Sequence, residues 1–332
     1  MGNGRMAIGV IGSGSWATAI VKILHENNPR VNWYIRQEES RREVRTRHRN
    51  PRYLSDVRFN MEHLHLADSI DELVETSEVI FVVVPSAYLA TWFEPLTADL
   101  SSRLVVTAIK GIVPGEHLTA SEFLKRHHGL SYAHMGVVSG PCHAEEVAMQ
   151  RLSYLTVACK APEDSERVAN LLRSDYIRVT PSQDIYGTEY SAILKNIYAV
   201  ASGIGHGLGY GDNFQAVLTC NAQDELERFL EGTYPSPRNA NASPYLGDLL
   251  VTCYSQFSRN RTFGLMIGKG YSVLSAQMEM NMVAEGYYAS DGIDHISRQH
   301  GVELPIAETI HRILYEGANA RREFEQLSTL LV

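Results

Sequence analysis

Short, continuous apolar runs alternate with amphipathic segments through the first half of the chain. The runs are MAIGVI at 6–11, VNWYI at 31–35, VIFVVV at 79–84 and LVVTAI at 104–109. Continuous runs of this length are typical of parallel strands that are buried on both faces of a sheet. Helical character follows at 18–25, 69–76 and 88–96, so the pattern predicts a repeated strand–helix alternation.

The alternation continues to about residue 180 and then stops. Shorter strands are predicted at 136–138, 155–158 and 177–179, with helices at 142–148 and 163–173. From about residue 184 onward almost every segment has helical periodicity. We therefore predict an α/β Rossmann-type N-terminal domain, residues 1–185, followed by an all-α C-terminal domain, residues 186–332.

A nearly uncharged stretch opens the second domain. Residues 190–211 read YSAILKNIYAVASGIGHGLGYG, and Lys195 carries the one formal charge. Apolar residues recur at helical spacing to about residue 202, and the glycines from 203 to 211 are expected to thin or end the helix. Burial among apolar neighbours lowers the pKa of a lysine, which suits a proton donor or acceptor. The alternative is a structural lysine whose ammonium reaches solvent.

A glycine-rich turn follows the first predicted strand. The sequence Gly12-Ser-Gly14-Ser15-Trp16-Ala17 stands between that strand and a helix. In this context G-x-G-x-x-A is typical of dinucleotide binding, because the glycines allow a tight turn and the pyrophosphate rests on the helix N-terminus. The alternative is a tight strand–helix turn that binds no ligand.

A cationic residue directly follows two of the four apolar runs, those at 31–35 and 104–109. NAD-specific folds place an acid after the second strand, but this chain has Arg36, which suits the 2′-phosphate of NADP. Lys110 follows the strand at 104–109, on the edge of the sheet where open α/β folds bind ligands. An exposed loop lysine is the alternative for Lys110. Gly140-Pro141 predicts a further turn whose backbone amides could meet a phosphate or a ribose.

Composition narrows the class of protein. The 332 residues carry a net charge of −8, so we expect no nucleic-acid partner. The four cysteines are widely spaced without a CxxC, which predicts free thiols, no metal site and a cytoplasmic location. No uncharged apolar run is long enough for a membrane span.

A polar, cationic segment lies between two predicted helices of the second domain. It reads Ser258-Arg259-Asn260-Arg261. Arginine offers a planar fork and asparagine a neutral donor, so the segment suits a phosphate group. The alternative is a capped, solvated turn.

Taken together, these motifs resemble bacterial-type NAD(P)-dependent glycerol-3-phosphate dehydrogenase along nearly the whole chain. The resemblance rests on Gly12–Trp16, Asn50–Leu54, Val84–Ser86, Lys110–Ile112, Ser139–Pro141 with Ala144 and Glu146–Ala148, Leu194–Asn196, Gly207–Gly209, Gly211–Asn213, Gly247-Asp248, Ser258–Arg261 with Phe263-Gly264, and Val283–Gly286. It implies reversible reduction of dihydroxyacetone phosphate to sn-glycerol 3-phosphate, which supplies glycerophospholipid synthesis, with NAD or NADP as coenzyme. A homodimer is compatible with it.

The resemblance also implies roles for single residues. Lys195 would be the proton donor in reduction and the acceptor in oxidation. Substrate would be bound by Lys110, Gly140, Cys142, Lys195, Asp248, Ser258, Arg259 and Asn260, and the coenzyme by Gly12, Gly14, Ser15, Trp16, Arg36, Lys110, Ala144, Arg259, Val283 and Glu285. Cys142 departs from the family, which usually has serine there, so the hydroxyl contact at this position is absent.

Two other functions fit parts of the pattern. A related dehydrogenase could act on a 3-hydroxy acid or a sugar-acid phosphate, although the segment at 258–261 favours a small phosphate. A coenzyme-sensing protein without turnover is the second, and the presence of Lys195, Lys110 and Asp248 argues against it.

Overall fold

The computed structural model describes residues 7–280 and 284–332, which form two compact units. The first, here called the sheet unit, comprises the described residues up to Val84, Tyr88–Ile109 and Ala120–Ile185. The second, the helical unit, comprises Pro85–Ala87, Lys110–Thr119 and the described residues from Tyr186 onward. The segment that begins at Lys110 therefore belongs to the helical unit although it follows a strand of the sheet.

The sheet unit is built on an eight-stranded sheet in the order β3-β2-β1-β4-β5-β6-β7-β8. Strands β1 to β6 are parallel, β7 is antiparallel to β6, and β8 is parallel to β7. The strands are β1 Ile8–Ile11, β2 Val31–Tyr34, β3 Leu64–Ala67, β4 Val79–Val82, β5 Leu104–Thr107, β6 Met135–Ser139, β7 Ser153–Cys159 and β8 Ile177–Ser182. The order 3-2-1-4-5-6 is that of the Rossmann fold and reverses direction at β1, where such sheets bind ligands.

Seven helices accompany the sheet within the described residues. They are α1 Ser15–Asn27, α2 Glu38–Arg47, α3 Ile70–Glu75, α4 Leu89–Phe93, α5 Ala120–His128, α6 Ala144–Ala148 and α7 Pro162–Leu172. The apolar faces of α1 and α7 pack with the strands into one core, in which Ile20, Trp33 and Phe81 are fully buried. Burial on both faces explains why the strand sequences are continuously apolar.

The helical unit holds eight helices in the described part of the chain. They are α8 Ile185–Leu208, α9 Asp212–Thr233, α10 Asp248–Tyr254, α11 Arg259–Gly268, α12 Val273–Glu279, α13 Glu285–His300, α14 Pro305–Tyr315 and α15 Ala320–Leu327, with a short π-helical turn at Ser243–Gly247. Its separate core includes Ile197 and Ile204 of α8 and Phe229 of α9. An α/β unit with a Rossmann strand order, followed by helices, confirms the predicted fold class.

Helix α8 is longer than its sequence suggests. The sequence predicts helical spacing to about residue 202 and glycines from 203 onward that thin or end the helix, but the helix continues through Gly203, Gly205 and Gly207 to Leu208. The reason is close packing on α11, because a Cβ atom on Gly207 would lie 2.7 Å from the carbonyl oxygen of Leu265. The glycines up to 207 thus permit a helix contact, and the chain reverses only at Gly209, where φ is +94°.

No helix within residues 7–280 and 284–332 has both the length and the apolar character needed to cross a membrane.

Candidate active site

Lys195 lies in the interior of the helical unit. Its side chain is 5% exposed, and Nζ donates a hydrogen bond to Oδ1 of Asp248, the first residue of α10. The Asp248 side chain is 1% exposed. The ammonium therefore ends on a buried carboxylate. The alternative, a structural lysine whose ammonium reaches solvent, does not apply to Lys195.

Asp248 lies between two lysines. Its Oδ1 accepts from Lys195, and its Oδ2 is 3.5 Å from Nζ of Lys110, whose side chain is 19% exposed. One carboxylate thus faces two ammonium groups in a largely buried environment, where electrostatic interactions are stronger than in water. The structure brings together three residues that are 53 and 138 positions apart, counted from Lys195 to Asp248 and from Lys110 to Asp248.

These neighbours act on Lys195 in opposite directions. Burial has the largest effect and lowers the pKa of Lys195, the carboxylate of Asp248 raises it, and the charge of Lys110 lowers it. Together these effects lower the pKa of Lys195 to about 7. A lysine with this pKa populates both the protonated and the neutral form near neutral pH. It is therefore suited to give and to take a proton in the same pH range.

Asn196 connects the Lys110 segment to α8. Its side-chain Nδ2 donates to the backbone carbonyl of Lys110 over 2.6 Å, and the residue is 5% exposed. The sequence contains a signal for this contact, since Asn196 is a polar residue beside Lys195 in an apolar helix. The sequence alone does not predict a role for Asn196, because only the tertiary structure identifies the carbonyl that its side chain binds.

The segment 258–261 is the N-terminus of α11. The hydroxyl of Ser258 accepts a hydrogen bond from the backbone N–H of Arg261, so Ser258 is the N-cap of this helix. Oδ1 of Asn260 accepts from the N–H of Gly286 over 2.9 Å. The capped turn that was the alternative interpretation is thus present, and the cap places Arg259 and Asn260 in the first turn of α11.

Glu285 begins α13 and is bound to the segment Pro85–Ala87. Its Oε1 accepts from the backbone N–H of Ser86 over 2.9 Å, and Oε2 accepts from the Ser86 hydroxyl. Burial raises the pKa of Glu285, although the hydrogen bonds from Ser86 and the charge of Arg259 oppose the shift. Gly111 leaves room for this contact, because a Cβ atom at this position would lie 2.5 Å from Oγ of Ser86 and would overlap the Glu285 carboxylate unless these side chains shifted. Val283 lies outside the described residues.

In the sheet unit, the glycine turn has the conformation that its sequence predicts. Gly12 has φ of +138°, and a Cβ atom there would collide with the carbonyl of Val83. Nε1 of Trp33 donates to the Gly12 carbonyl over 2.6 Å. Gly14 is the N-cap of α1, and apart from its chain neighbours no heavy atom of residues 7–280 or 284–332 lies within 4 Å of the place where its Cβ would be. The turn therefore leaves open space next to a helix N-terminus, as binding of a pyrophosphate requires.

The remaining predicted residues of the sheet unit also lie at strand ends and helix starts. Ser15 and Trp16 open α1, exposed Arg36 follows β2, Gly140 follows β6 with φ of +132°, and Ala144 opens α6. Cys142 and Ala144 are 8% and 7% exposed, and both pack into the sheet-unit core. The carboxyl ends of parallel strands share one edge of a sheet, which places Gly12, Arg36 and Gly140 on the edge that binds ligands.

The described residues contain no cluster of potential metal ligands. No group of three or more His, Cys, Asp or Glu side chains there is arranged to hold a metal ion. The four cysteines, at positions 142, 159, 220 and 253, are free thiols, as their spacing predicts.

Two family models cover most of the chain. The N-terminus of NAD-dependent glycerol-3-phosphate dehydrogenase matches residues 7–165, and its C-terminus matches residues 184–325. Glycerol-3-phosphate dehydrogenase [NAD(P)+] from an Exiguobacterium species is 35% identical over 326 residues, covering 96% of this chain and 94% of the relative. Glycerol-3-phosphate dehydrogenase [NAD(P)+] 2 from Salinibacter ruber is 35% identical over 327 residues, covering 97% of this chain and 94% of the relative.

Solved structures agree with the sequence comparison. A crystal structure of glycerol-3-phosphate dehydrogenase from Coxiella burnetii is 28% identical, covers 97% of this chain and 98% of its own, and superposes with a TM-score of 0.89. This confirms the resemblance on which the site residues were assigned. The chain belongs to the family of NAD(P)-dependent glycerol-3-phosphate dehydrogenases.

Proposed function

We propose that this chain catalyses the reversible NAD(P)H-dependent reduction of dihydroxyacetone phosphate to sn-glycerol 3-phosphate, with Lys195 moving the proton. Family membership makes the chain an NAD(P)-dependent oxidoreductase. The observation that carries the proton assignment is the buried network of Lys195, Asp248 and Lys110, in which burial lowers the pKa of Lys195 to about 7.

The network suits both directions of the reaction. The bound nicotinamide would supply or accept the hydride. Reduction of a ketone leaves an alkoxide that needs a proton, which Lys195 donates in its ammonium form, and oxidation needs the neutral amine as acceptor. Asp248 orients the Lys195 amine, and Lys110 adds a second positive charge that stabilises the developing alkoxide.

Most of the residues that we propose for substrate binding belong to the helical unit. In the helical unit, Arg259 and Asn260 would hold the phosphate from the first turn of α11, where the helix dipole adds to their effect. Ser258, Lys110 and Asp248 complete this set. In the sheet unit, Gly140 and Cys142 are assigned to the substrate by the family resemblance.

Coenzyme binding is assigned chiefly to the sheet unit. Its glycine turn and the start of α1 fit a pyrophosphate, because the space beside Gly14 is open. Arg36 would face the ribose 2′ position. The full set that we propose is Gly12, Gly14, Ser15, Trp16, Arg36, Lys110, Ala144, Arg259, Val283 and Glu285. Residues 1–185 would thus form the coenzyme domain and residues 186–332 the substrate domain.

The wider role follows from the chemistry of the product. We propose that sn-glycerol 3-phosphate made by this chain supplies glycerophospholipid synthesis in the cytoplasm, which agrees with four free thiols. A net charge of −8 argues against a nucleic-acid partner. A homodimer is compatible with the assignment.

A steady-state assay tests the function directly. We expect both NADH and NADPH to be oxidised in the presence of dihydroxyacetone phosphate. In the reverse direction, we expect NAD and NADP to be reduced in the presence of sn-glycerol 3-phosphate. If the protein instead turned over a 3-hydroxy acid or a sugar-acid phosphate faster than dihydroxyacetone phosphate, it would be a related dehydrogenase with a different substrate. Tight coenzyme binding without turnover of any substrate would favour a sensor.

A further inference from the structure

One buried side chain connects the glycine turn of the sheet unit to a loop that has no assigned role. Asn50 is 2% exposed and lies in the segment after α2. Its Nδ2 donates to the carbonyl of Ser13 over 3.0 Å and to the hydroxyl of Thr18 over 2.8 Å. Its Oδ1 accepts from the N–H of Arg52 and of Tyr53 over 3.1 and 3.3 Å. The amide thus makes the full set of four hydrogen bonds open to it.

The contacts of Asn50 extend into the backbone of the glycine turn. Thr18 Oγ1 accepts from Asn50 and donates to the carbonyl of Gly14 over 2.9 Å. Asn50 holds the Ser13 carbonyl directly. The Gly14 carbonyl also accepts from the backbone N–H of Thr18 over 2.9 Å, so α1 itself fixes it and Asn50 adds an indirect contact through the threonine hydroxyl.

The direction of these carbonyls fixes the direction of the amides that follow them. In a planar trans peptide the C=O of one residue and the N–H of the next point to opposite sides. When the Ser13 carbonyl points to buried Asn50, the Gly14 N–H points away from Asn50. The Gly14 carbonyl and the Ser15 N–H are related in the same way.

We propose that Asn50 is a positioning residue for the coenzyme pyrophosphate. By holding the Ser13 carbonyl inward, it presents the Gly14 amide to the anion before the coenzyme arrives. This inference rests on the proposed role of the Gly12–Ala17 turn. Such preorganisation increases affinity because the backbone need not reorient on binding.

A second buried asparagine of the sheet unit provides the matched control. Asn32 is 3% exposed and lies on β2, where Nδ2 donates to the carbonyl of Thr76 over 3.1 Å and to the hydroxyl of Ser77 over 3.1 Å. Among the described residues it makes no hydrogen bond to the glycine turn. Asn32→Ala therefore reports what loss of a buried amide does to the fold without disturbing the turn.

The experiment compares coenzyme binding by the full-length variants, measured as NADPH dissociation constants by fluorescence titration. For Asn50→Ala we expect the dissociation constant to rise at least about tenfold, equivalent to about 1.4 kcal/mol. Asn50→Asp keeps the acceptor for Arg52 and Tyr53 but cannot donate to Ser13, and it should show a similar loss. Asn32→Ala should lower the thermal midpoint while leaving the NADPH dissociation constant within about twofold of wild type.

A ligand pair and a second variant separate positioning from general damage. ADP-ribose contains the pyrophosphate and adenosine does not, so the Asn50 variants should lose affinity for ADP-ribose and keep that for adenosine. Thr18→Val removes the hydroxyl that holds the Asn50 amide but keeps the backbone hydrogen bond to the Gly14 carbonyl, and it should weaken ADP-ribose binding even if Asn50→Ala fails to fold.

The proposal is overturned if Thr18→Val and every folded Asn50 variant bind ADP-ribose as tightly as Asn32→Ala. If wild-type protein binds neither NADPH nor NADH, the inference falls together with the proposed function. If the wild type binds the coenzyme and the variants bind ADP-ribose as tightly as the wild type, only the proposed role of Asn50 is refuted and the proposed function stands.

Discussion

The proton affinity of one amine, that of Lys195, is set by its burial and by two charged neighbours. Loss of water stabilises its neutral form, the charge of Lys110 acts in the same direction, and Asp248 stabilises the ammonium. Burial is the largest of these effects, so the pKa of Lys195 falls to about 7 even though its nitrogen is hydrogen-bonded to a carboxylate. Asp248 thus fixes the position of the amine without keeping it permanently charged.

Replacing Lys195 tests its role most directly. Lys195→Ala should lower kcat by about 10²–10⁴-fold, the usual contribution of general acid–base catalysis. Coenzyme binding, followed by quenching of tryptophan fluorescence, should persist. Lys22→Ala is the control, since Lys22 is also buried and bonded to an acid, Glu26 at 2.6 Å, but lies on α1. A Lys195→Ala variant that kept more than about a tenth of wild-type kcat would remove Lys195 from proton transfer.

The pH profile gives a second prediction for the same residue. Reduction uses protonated Lys195 and oxidation uses neutral Lys195, so reduction should decline above about pH 7 and oxidation below it, given a pKa of about 7. Lys110→Met removes a positive charge that lowers this pKa. The oxidation limb of kcat/KM should then move to higher pH, even if the maximum rate falls. A limb that moves to lower pH or does not move would contradict the coupling.

At the scale of elements, the junction of α9 and α14 contains a buried acid outside the active site. Glu225 of α9 is 3% exposed and accepts hydrogen bonds from the N–H groups of Ile306 and Ala307, at 2.5 and 3.3 Å, in the first turn of α14. Burial is the largest influence on this carboxyl and raises its pKa from 4.5 to about 8. The helix start is thus bound by a group whose charge changes near neutral pH.

This shift makes stability depend on pH. Between about 4.5 and 8 the folded protein holds a proton on Glu225 that the unfolded chain releases, so stability should fall as pH rises through this range. The slope for one proton is at most about 1.4 kcal/mol per pH unit. Thermal midpoints measured from pH 5 to 8.5 should decline less in Glu225→Gln than in wild type. Asp224→Asn, an exposed neighbour on α9, should leave the slope unchanged, and equal slopes in all three proteins would refute the assignment.

The contact of α8 with α11 gives another element-scale prediction. A Cβ atom on Gly203 would overlap the carbonyl of Arg261 and lie 2.8 Å from the backbone N of Leu265. Backbone atoms cannot rotate away, so Gly203→Ala should destabilise the protein by about 1–3 kcal/mol in chemical denaturation, despite the better helix propensity of alanine. At Gly211, apart from chain neighbours, no described atom lies within 4 Å of an added Cβ, so Gly211→Ala should cost less than about 1 kcal/mol, the usual effect of alanine at an N-cap. Equal effects would mean that the helices can separate at no cost.

Elements that are buried on both faces were predictable from sequence, and elements defined by their neighbours were not. The continuous apolar runs of β1, β4 and β5 predicted their strands. The edge strand β3, Leu64–Ala67, was missed because its four residues include the polar His65 and form no continuous apolar run. The sequence left open whether the glycines from 203 thin or end α8, since glycine in a helix weakens it locally but here permits contact with α11.

The same distinction holds for the candidate site at the scale of the whole molecule. Lys195 and the glycine turn could be found because each breaks a local pattern, a lone charge in an apolar helix and glycines after a strand. Ser86, Asn196 and Asn50 act through contacts with residues 199, 86 and 37 positions away, respectively, which no local pattern encodes. Their identities became meaningful only when the folded chain supplied the partners.

Net charge constrains how the whole molecule must bind its substrate. With a net charge of −8, the overall field of the protein disfavours a dianionic phosphate. Affinity must then come from local donors, and the helical unit places Arg259 in the first turn of α11, where the helix dipole also favours an anion. A guanidinium contributes a planar fork in addition to its charge, so Arg259→Lys should still raise KM for dihydroxyacetone phosphate.

The phosphate clamp is best tested by comparing two substrates that differ only in the phosphate. Unphosphorylated dihydroxyacetone should be a poor substrate of the wild type, with lower kcat as well as weaker binding, because the remote phosphate orients the carbonyl. In Arg259→Ala the kcat/KM ratio of phosphorylated to unphosphorylated substrate should shrink at least about tenfold, or about 1.4 kcal/mol. Arg298→Ala is the control, since Arg298 is an exposed arginine of the same unit that pairs with Asp294 at 3.0 Å. Because both substrates share the carbonyl chemistry, general damage to catalysis cancels in this ratio. An unchanged ratio in Arg259→Ala would therefore place the phosphate elsewhere on the protein.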